Sequence, residues 1–279
     1  MSAARIESIF HPSDFSEASE IAFAHALRIA LVTKAALTML HVDPGHEADW
    51  SDFPGVRETL CRWRLIAPDS AKSAVTDLGI AVQKVIATSR SPLRASLDFL
   101  DKHPADLIVL AVHQYEGRVR WQHKRVAEPI AHANEAMTLY VPHGVPGFVS
   151  RETGAISLRN ILVPIASKPR PQPAVAAVAR MIGALQLPPG KVRLLHVGPG
   201  AEMPSLQIPA EPGWDWTVHC LEGEPVEVIG QIAATAGSDL IVMATEGPQG
   251  FLDALRGSTS ARVLRECRCP VLTLHAASS

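Results

Sequence analysis

Aromatic side chains are scarce in this 279-residue sequence: seven Phe, five Trp and two Tyr amount to 5%. Single-stranded nucleic acid is held largely by stacking bases on such rings, so no nucleic-acid platform is expected. An excess of charge of either sign is missing too. Lys and Arg number 26 against 28 Asp and Glu, so no strong field draws the chain to a polyanion or to anionic lipid. Long apolar runs are absent. The longest, Ile21 to Val32, is interrupted by His25 and Arg28 and falls well short of the roughly 20 residues a membrane span needs. No basic start followed by an apolar run and a small-residue cleavage site is found, and the expectation is a cytoplasmic protein without membrane contact. Cysteine is sparse as well. Cys61, Cys220, Cys267 and Cys269 form no C-x-x-C pair, so reduced thiols are expected, with neither a disulfide framework nor a metal site.

What is present is an apolar content of 47% and a length that suits two domains. The chain also repeats itself. DLIVLAV at 106–112 returns as DLIVMAT at 239–245, an offset of 133 that also relates Pro92 to Pro225. LTMLHV (37–42) matches VRLLHV (192–197) at an offset of 155, and SIFHP (8–12) matches NILVP (160–164) at 152. One unit has been duplicated. The stretch PHGVPGFVSRETGAIS (142–157) is rich in Pro, Gly and small polar residues and reads as a connector. The expected layout is domain one over 1–142, a linker over 143–157 and domain two over 158–279.

In the first copy, β-branched apolar runs at Ile6–Pro12, Leu37–Val42, Ala81–Val85, Leu107–Val112 and Thr138–Val141 read as strands. Helical patterns lie between them at Ser16–Val32, Arg57–Leu78, Pro92–His103 and Arg125–Ala133. Strands apolar on both faces and alternating with helices predict an α/β fold, a parallel sheet covered on both sides. Ser16 is placed to cap the first helix, with Glu17 and Glu20 at the positive end of its dipole. The second copy lacks the counterpart of the 57–78 helix: residues 198–216 hold four Pro and three Gly. That face is expected to be covered by a loop, by Trp214 and Trp216, or by another domain, and to be a place for subunit contact.

Ligands of open parallel sheets collect beyond the carboxyl ends of the strands. After the fourth strand of domain two runs ATEGPQGFLDALRGSTS, Ala244 to Ser260. Gly247 and Gly250 permit tight turns whose amides face an anion, and Gly257-Ser258 opens a helix with Ser260 one turn in. This spacing fits a phosphate cradle; it equally fits an ordinary loop and helix cap. The corresponding loop of domain one carries His113, Arg118, Arg120, His123, Lys124 and Arg125, either a solvated basic loop or an anion patch made of side chains.

HPSDFSEASEIAFAHALRIA with LTMLHV, DLIVMATEGPQGFLDALRGSTSARVLRECRCPVL, and the tandem layout resemble the universal stress protein family over almost the whole chain. The resemblance implies two Rossmann-like units of the adenine nucleotide alpha hydrolase type, each a five-stranded parallel sheet in the order 3-2-1-4-5. Family members that bind ATP carry a G-x2-G-x9-G-[ST] loop, which falls here on Ala244, Gly247, Gly257 and Ser258. In domain one the same register gives Ala111, Gln114, Lys124 and Arg125. The family's acidic residue after the first strand, which holds the adenosine end, is Asp14 in domain one and Ala166 in domain two. Each copy thus lacks what the other keeps. If the first glycine of the loop is needed in a left-handed conformation, Ala244 costs about 1–2 kcal/mol.

Residues implied for nucleotide binding in domain two are Pro164, Val197, Gly247, Gly250, Gly257, Ser258 and Ser260. The degenerate site of domain one comprises Asp14, Val42, Lys124 and Arg125. The implied ligand is ATP or AMP, with magnesium only alongside ATP. The resemblance also implies an intramolecular pairing of the last strands, 138–141 with 271–274, and a further homodimer.

Enzyme signatures are wanting. Neither G-x-x-x-x-G-K-[ST], G-x-S-x-G nor H-E-x-x-H occurs, and SDFSEA does not fit the S-G-G-x-D-S loop of ATP pyrophosphatases. His41 and His196 recur at one place in both copies, which favours a structural role. His46, Glu47 and Asp49 read as exposed. Three functions therefore stand open: a non-catalytic adenine-nucleotide sensor centred on domain two, an interaction scaffold with decayed sites, and, least supported, an ATP hydrolase.

Overall fold

The computed structural model describes residues 6–45, 47–112, 136–245 and 259–276. It divides into one compact unit ending at Ile156 and a second beginning at Ser157. The basic loop and the helix expected at 125–133 lie outside the described residues, as do Gly247, Gly250, Gly257 and Ser258.

The first unit forms a parallel sheet from β1 (Ser8–Pro12), β2 (Ala36–Val42), β3 (Val82–Ala87), β4 (Leu107–Val112) and β5 (Met137–Pro142), in the order β3-β2-β1-β4-β5. Its helices are α1 (Glu17–Thr33), α2 (Val56–Arg62), α3 (Ala74–Asp77) and α4 (Pro92–Lys102). Successive strand residues face opposite sides of a sheet. Phe10 stacks on Phe99 of α4 with centroids 5.7 Å apart, and its neighbour His11 lies 6.4 Å from Phe23 of α1. The two helices therefore cover opposite faces. Ser16 caps α1 by accepting from the Ser19 N–H, and the helix stops where Lys34 turns left-handed and donates to Ala30.

The single helix expected over 57–78 is a correction. Helix α2 ends at Arg62, Arg64 adopts φ 59°, and Leu65 N donates back to Leu60 O, closing the turn. Pro68 follows, and only the short α3 resumes. Apolar spacing continued through a segment whose backbone had already been stopped.

The connector is packed rather than free. Phe148 and Val149 are each 1% exposed. Both donate their N–H groups to Nε2 of His25, at 3.0 and 3.2 Å, while His25 Nδ1 donates to Ile21 O. An acceptor Nε2 must be unprotonated, so the bonds fix the tautomer. Burial agrees, holding the His25 pKa down at about 4. Gly147 sits at φ 70°, and a Cβ there would fall 2.3 Å from His25 Nε2. Trp63 Nε1 donates to Arg151 O, and Arg151 pairs with Glu17 and Glu20 of α1. Residues 147–151 thus belong to the first unit.

The second unit repeats the sheet as β6 (Asn160–Ile165), β7 (Gly190–Val197), β8 (Trp214–Leu221), β9 (Leu240–Thr245) and β10 (Val271–His275), in the order β8-β7-β6-β9-β10, every pair parallel. Helices α5 (Gln172–Ala184), α6 (Pro225–Thr235) and α7 (Thr259–Glu266) connect it. Val226, Ile229 and Val263 pack on Leu162, Leu195 and Ile241 to make one side of its core. Residues 198–213 contain a single 3-10 turn at Gly200–Glu202 and no α-helix. Trp214 and Trp216 are not in that loop: both belong to β8, and Trp214 is buried against Gly190.

Corresponding residues do the same work twice. Asp106 Oδ2 accepts from the N–H groups of Glu7 and Ser8 and from Ser8 Oγ, tying the start of β1 to that of β4. Asp239 Oδ2 accepts from Arg159 N and Asn160 N in the second unit. Left-handed Lys34 has its match in Gln186 at φ 49°. No described helix is long and apolar enough to cross a membrane.

Candidate functional site

At the carboxyl ends of β1, β2 and β4 the first unit opens a cleft of about 190 Å³. Its lining includes Ser13, Asp14, His41, Val42, Ser96 and Ala111. That is less than the roughly 300–1,000 Å³ of a drug-sized site, and so suits a single ring system.

A buried polar chain shapes this mouth. His11 Nδ1 donates to Val109 O at 2.9 Å, and its Nε2 faces Ser19 Oγ at 3.4 Å. Ser19 Oγ bonds Ser13 Oγ at 3.0 Å, which accepts from Phe15 N. Burial holds the His11 pKa below its ordinary value, so the ring is neutral near pH 7. The turn it supports is unusual: Phe15 has φ 61°, a costly conformation for a bulky residue. Its ring is compensated by stacking on His41, 3.9 Å between centroids, with Phe53 edge-on at 5.0 Å. Outliers of this kind concentrate at functional sites.

Asp14 stands on that turn. Its Oδ1 accepts from Ser16 N and Ser16 Oγ, at 3.0 and 2.6 Å. Val42 ends β2 beside it, and Asp43 organises the following loop by accepting from Gly45 N and Ala48 N, bonds that lower its pKa. Across the cleft Ser96, on α4, is 1% exposed and its Oγ has no hydrogen-bond partner among the described residues. Buried hydroxyls are ordinarily bonded, which sets this one apart on the cleft wall. Sequence reading missed Ser96. The available signal was its spacing: Ser96 and Leu100 are the buried i, i+4 pair of α4, and a serine holds a position where an apolar residue is usual.

In the second unit Pro164 and Ala166 stand at and just beyond the end of β6, and Val197 ends β7. His41 and His196 share their expected role. His41 Nδ1 lies 2.8 Å from Ser13 O and His196 Nδ1 lies 3.2 Å from Ile165 O, carbonyls at matching positions after the strand proline. His196 Nε2 also lies 3.2 Å from Pro199 O, at the start of the helix-poor segment. Ala244 lies within β9, paired with Leu274 in extended backbone. The left-handed penalty expected there does not arise. Ser260 lies in the first turn of α7, where Arg262 Nη1 meets Glu224 Oε1 at 2.6 Å. Glu224 caps α6, and the Glu227 N–H and then Arg262 lower its pKa. Of the residues expected at the two sites, the structure places Asp14 and Val42 together in the first unit, and Pro164, Val197 and Ser260 near strand or helix ends of the second. Lys124, Arg125, Gly247, Gly250, Gly257 and Ser258 lie outside the described residues.

Cys267 and Cys269 are buried, which pushes their thiols up to about 11 and about 12, well away from reactivity. Among the described residues no three His, Cys, Asp or Glu side chains are gathered to hold a metal.

Comparison with known proteins agrees with this geometry. A universal stress protein of Methanocaldococcus jannaschii is 40% identical over 63 residues, 22% of this chain and 37% of that protein's length. The chain thus spans little more than a third of this curated relative in the match. Over 97% of its length the chain resembles the solved universal stress protein of Archaeoglobus fulgidus, with a TM-score of 0.62, 16% identity and 98% of that chain covered. A protein of unknown function from Pseudomonas aeruginosa gives a TM-score of 0.61 at 12% identity, covering 97% of this chain and 92% of its own. The profile of the universal stress protein family matches residues 6–142 and 206–275, and with the duplicated strands and matched histidines it shows that the chain belongs to the universal stress protein family.

Proposed function

We propose that this universal stress protein acts by binding rather than by turnover, and that its first unit takes the nucleoside part of an adenine nucleotide. The observation that carries this reading is Ser96 Oγ, buried and without a partner among the described residues, on the wall of the cleft that Asp14, His41 and Val42 also line. Asp14 supplies an acceptor for a ring amine or ribose hydroxyl. Beyond β2 the Asp43 N–H is committed to Ala87 O and the Asp43 carboxylate to Gly45 N and Ala48 N. The small volume favours the base over a triphosphate. That the sequence carries none of the G-x-x-x-x-G-K-[ST], G-x-S-x-G and H-E-x-x-H motifs supports a non-catalytic role.

A second reading is favoured by a separate observation, the spacing of Gly247, Gly257 and Ser258. In it the second unit binds ATP or AMP through its phosphates, helped by Pro164, Val197, Gly250 and Ser260 and with magnesium accompanying ATP.

Isothermal titration of the full chain with adenosine, AMP and ATP separates the two. The first reading expects adenosine and AMP to bind alike and Ser96→Ala to weaken both about tenfold, the loss of one buried hydrogen bond. The second expects adenosine not to bind and Gly257→Asp to abolish AMP and ATP binding. Binding of none of the three would leave the interaction scaffold as the function.

A further inference from the structure

We propose that a second copy of this chain adds to the free edge of β8, in antiparallel fashion about a two-fold axis through Thr217, to form a homodimer. Strand β8 ends the sheet of the second unit and runs for eight residues, Trp214–Leu221, without proline or lysine. Long edges lacking such protection are templates for pairing. The matching edge of the first unit is defended. Strand β3 is six residues long and carries Lys84, whose Nζ lies 5.6 Å above the Phe53 ring and 3.5 Å from Trp50 O. Lys84 pairs with Met39; at the duplicated place Val218 pairs with Leu194 and is 43% exposed. Met203 and Ile208 of the helix-poor segment are also exposed.

The backbone settles which residues face outward. Gly190 N donates to Gly213 O, and Gly198 N donates to Leu221 O. Alternation along a strand then turns the peptide groups of the odd-numbered residues toward β7 and those of Trp216, Val218 and Cys220 toward the free edge. In antiparallel pairing, outward-facing residues exchange both hydrogen bonds. A two-fold axis at Thr217 satisfies this by setting Trp216 opposite Val218 of the second copy; Trp214 N, at the end of the strand, already donates to Glu211 O.

The side chains fit the same register. Thr217 meets its own copy, and exposed Asp215 meets exposed His219, whose Nε2 already lies 3.1 Å from Thr217 Oγ1 on that face. Aromatic with β-branched, Thr with Thr, and acid with His are all favourable cross-strand pairs. This charge complementarity of the strand with itself is why the occupant is a second copy rather than an unrelated partner.

Sedimentation velocity on the full chain tests the proposal, with circular dichroism to verify folding. The wild-type chain is expected to dimerise. Val218→Pro removes an outward N–H that β7 does not use, and loss of this bond at both symmetry-related positions weakens the dimer about thirtyfold. Asp215→Lys weakens it up to about tenfold, and adding His219→Asp to that variant restores it. A monomeric wild-type chain, or a dimer indifferent to both Val218→Pro and Asp215→Lys, would overturn the proposal.

Discussion

The two units share a scaffold and differ at the mouth of the sheet. Both keep the aspartate that ties their first and fourth strands, the left-handed residue after the first helix, and the histidine that bonds the carbonyl beyond the strand proline. Those features hold the sheet together whatever it binds. Among the described residues only the first unit surrounds its histidine with a strained Phe15 and an aspartate, and only it folds a connector against its first helix. The second has alanine at the place of Asp14, serine at that of Phe15 and alanine at that of His25. Duplication preserved what every copy needs to fold and released the rest to diverge.

The largest break in that comparison is expected at His25. Replacing it with Phe keeps a ring but removes the acceptor that the Phe148 and Val149 N–H groups share, a loss of about 2–6 kcal/mol at 1–3 each. Denaturant unfolding followed by tryptophan fluorescence would measure it. Ala177→Ser, at the matching place on α5, tests whether the second unit shares this sensitivity; an effect below about 1 kcal/mol is expected.

Acid sharpens the same contrast. Above pH 6.5 His25 is neutral in both folded and unfolded chains and contributes no pH dependence. Between pH 6.5 and about 4 the unfolded chain takes up a proton that the folded one refuses. Stability therefore falls as pH drops through that window, by about 3 kcal/mol in all. His11, also depressed, adds to the loss in the same direction. Unfolding curves at pH 7, 5.5 and 4 should show this slope, and His25→Phe should flatten it.

A smaller effect separates the two tying aspartates. Among the described residues Asp106 accepts three hydrogen bonds and Asp239 two. Asp106→Ala is expected to cost about 3 kcal/mol and Asp239→Ala about 2, both read from unfolding midpoints. Equal costs would mean that the extra Ser8 Oγ bond contributes nothing. Smallest of all, Lys84→Ala should cost about 0.5–1 kcal/mol by removing its contact with the Phe53 ring.

Much of the fold was legible because alternating apolar runs leave few ways to cover a sheet, and because the repeat supplied each reading twice. The exception at 57–78 shows the limit: periodicity reports which face is apolar and is blind to a left-handed residue at Arg64. The second strand edge shows it again, since Trp214 and Trp216 stood next to four prolines and were read with them. At the site, Asp14 and Val42 were legible through a resemblance, and local motifs could place them. Ser96 comes from a helix 54 residues after Val42 in the chain, and only the folded sheet sets the two beside one cleft. The connector was legible in composition but not in packing, because the two partners that hold it, His25 and Trp63, lie far upstream.

Hydrogen exchange on the full chain, with and without saturating adenosine, tests the division of labour most directly. The account predicts that adenosine slows exchange at residues 13–19 and 92–98 of the first unit and leaves 164–168 and 196–200 of the second unchanged. Protection confined to the second unit would contradict it.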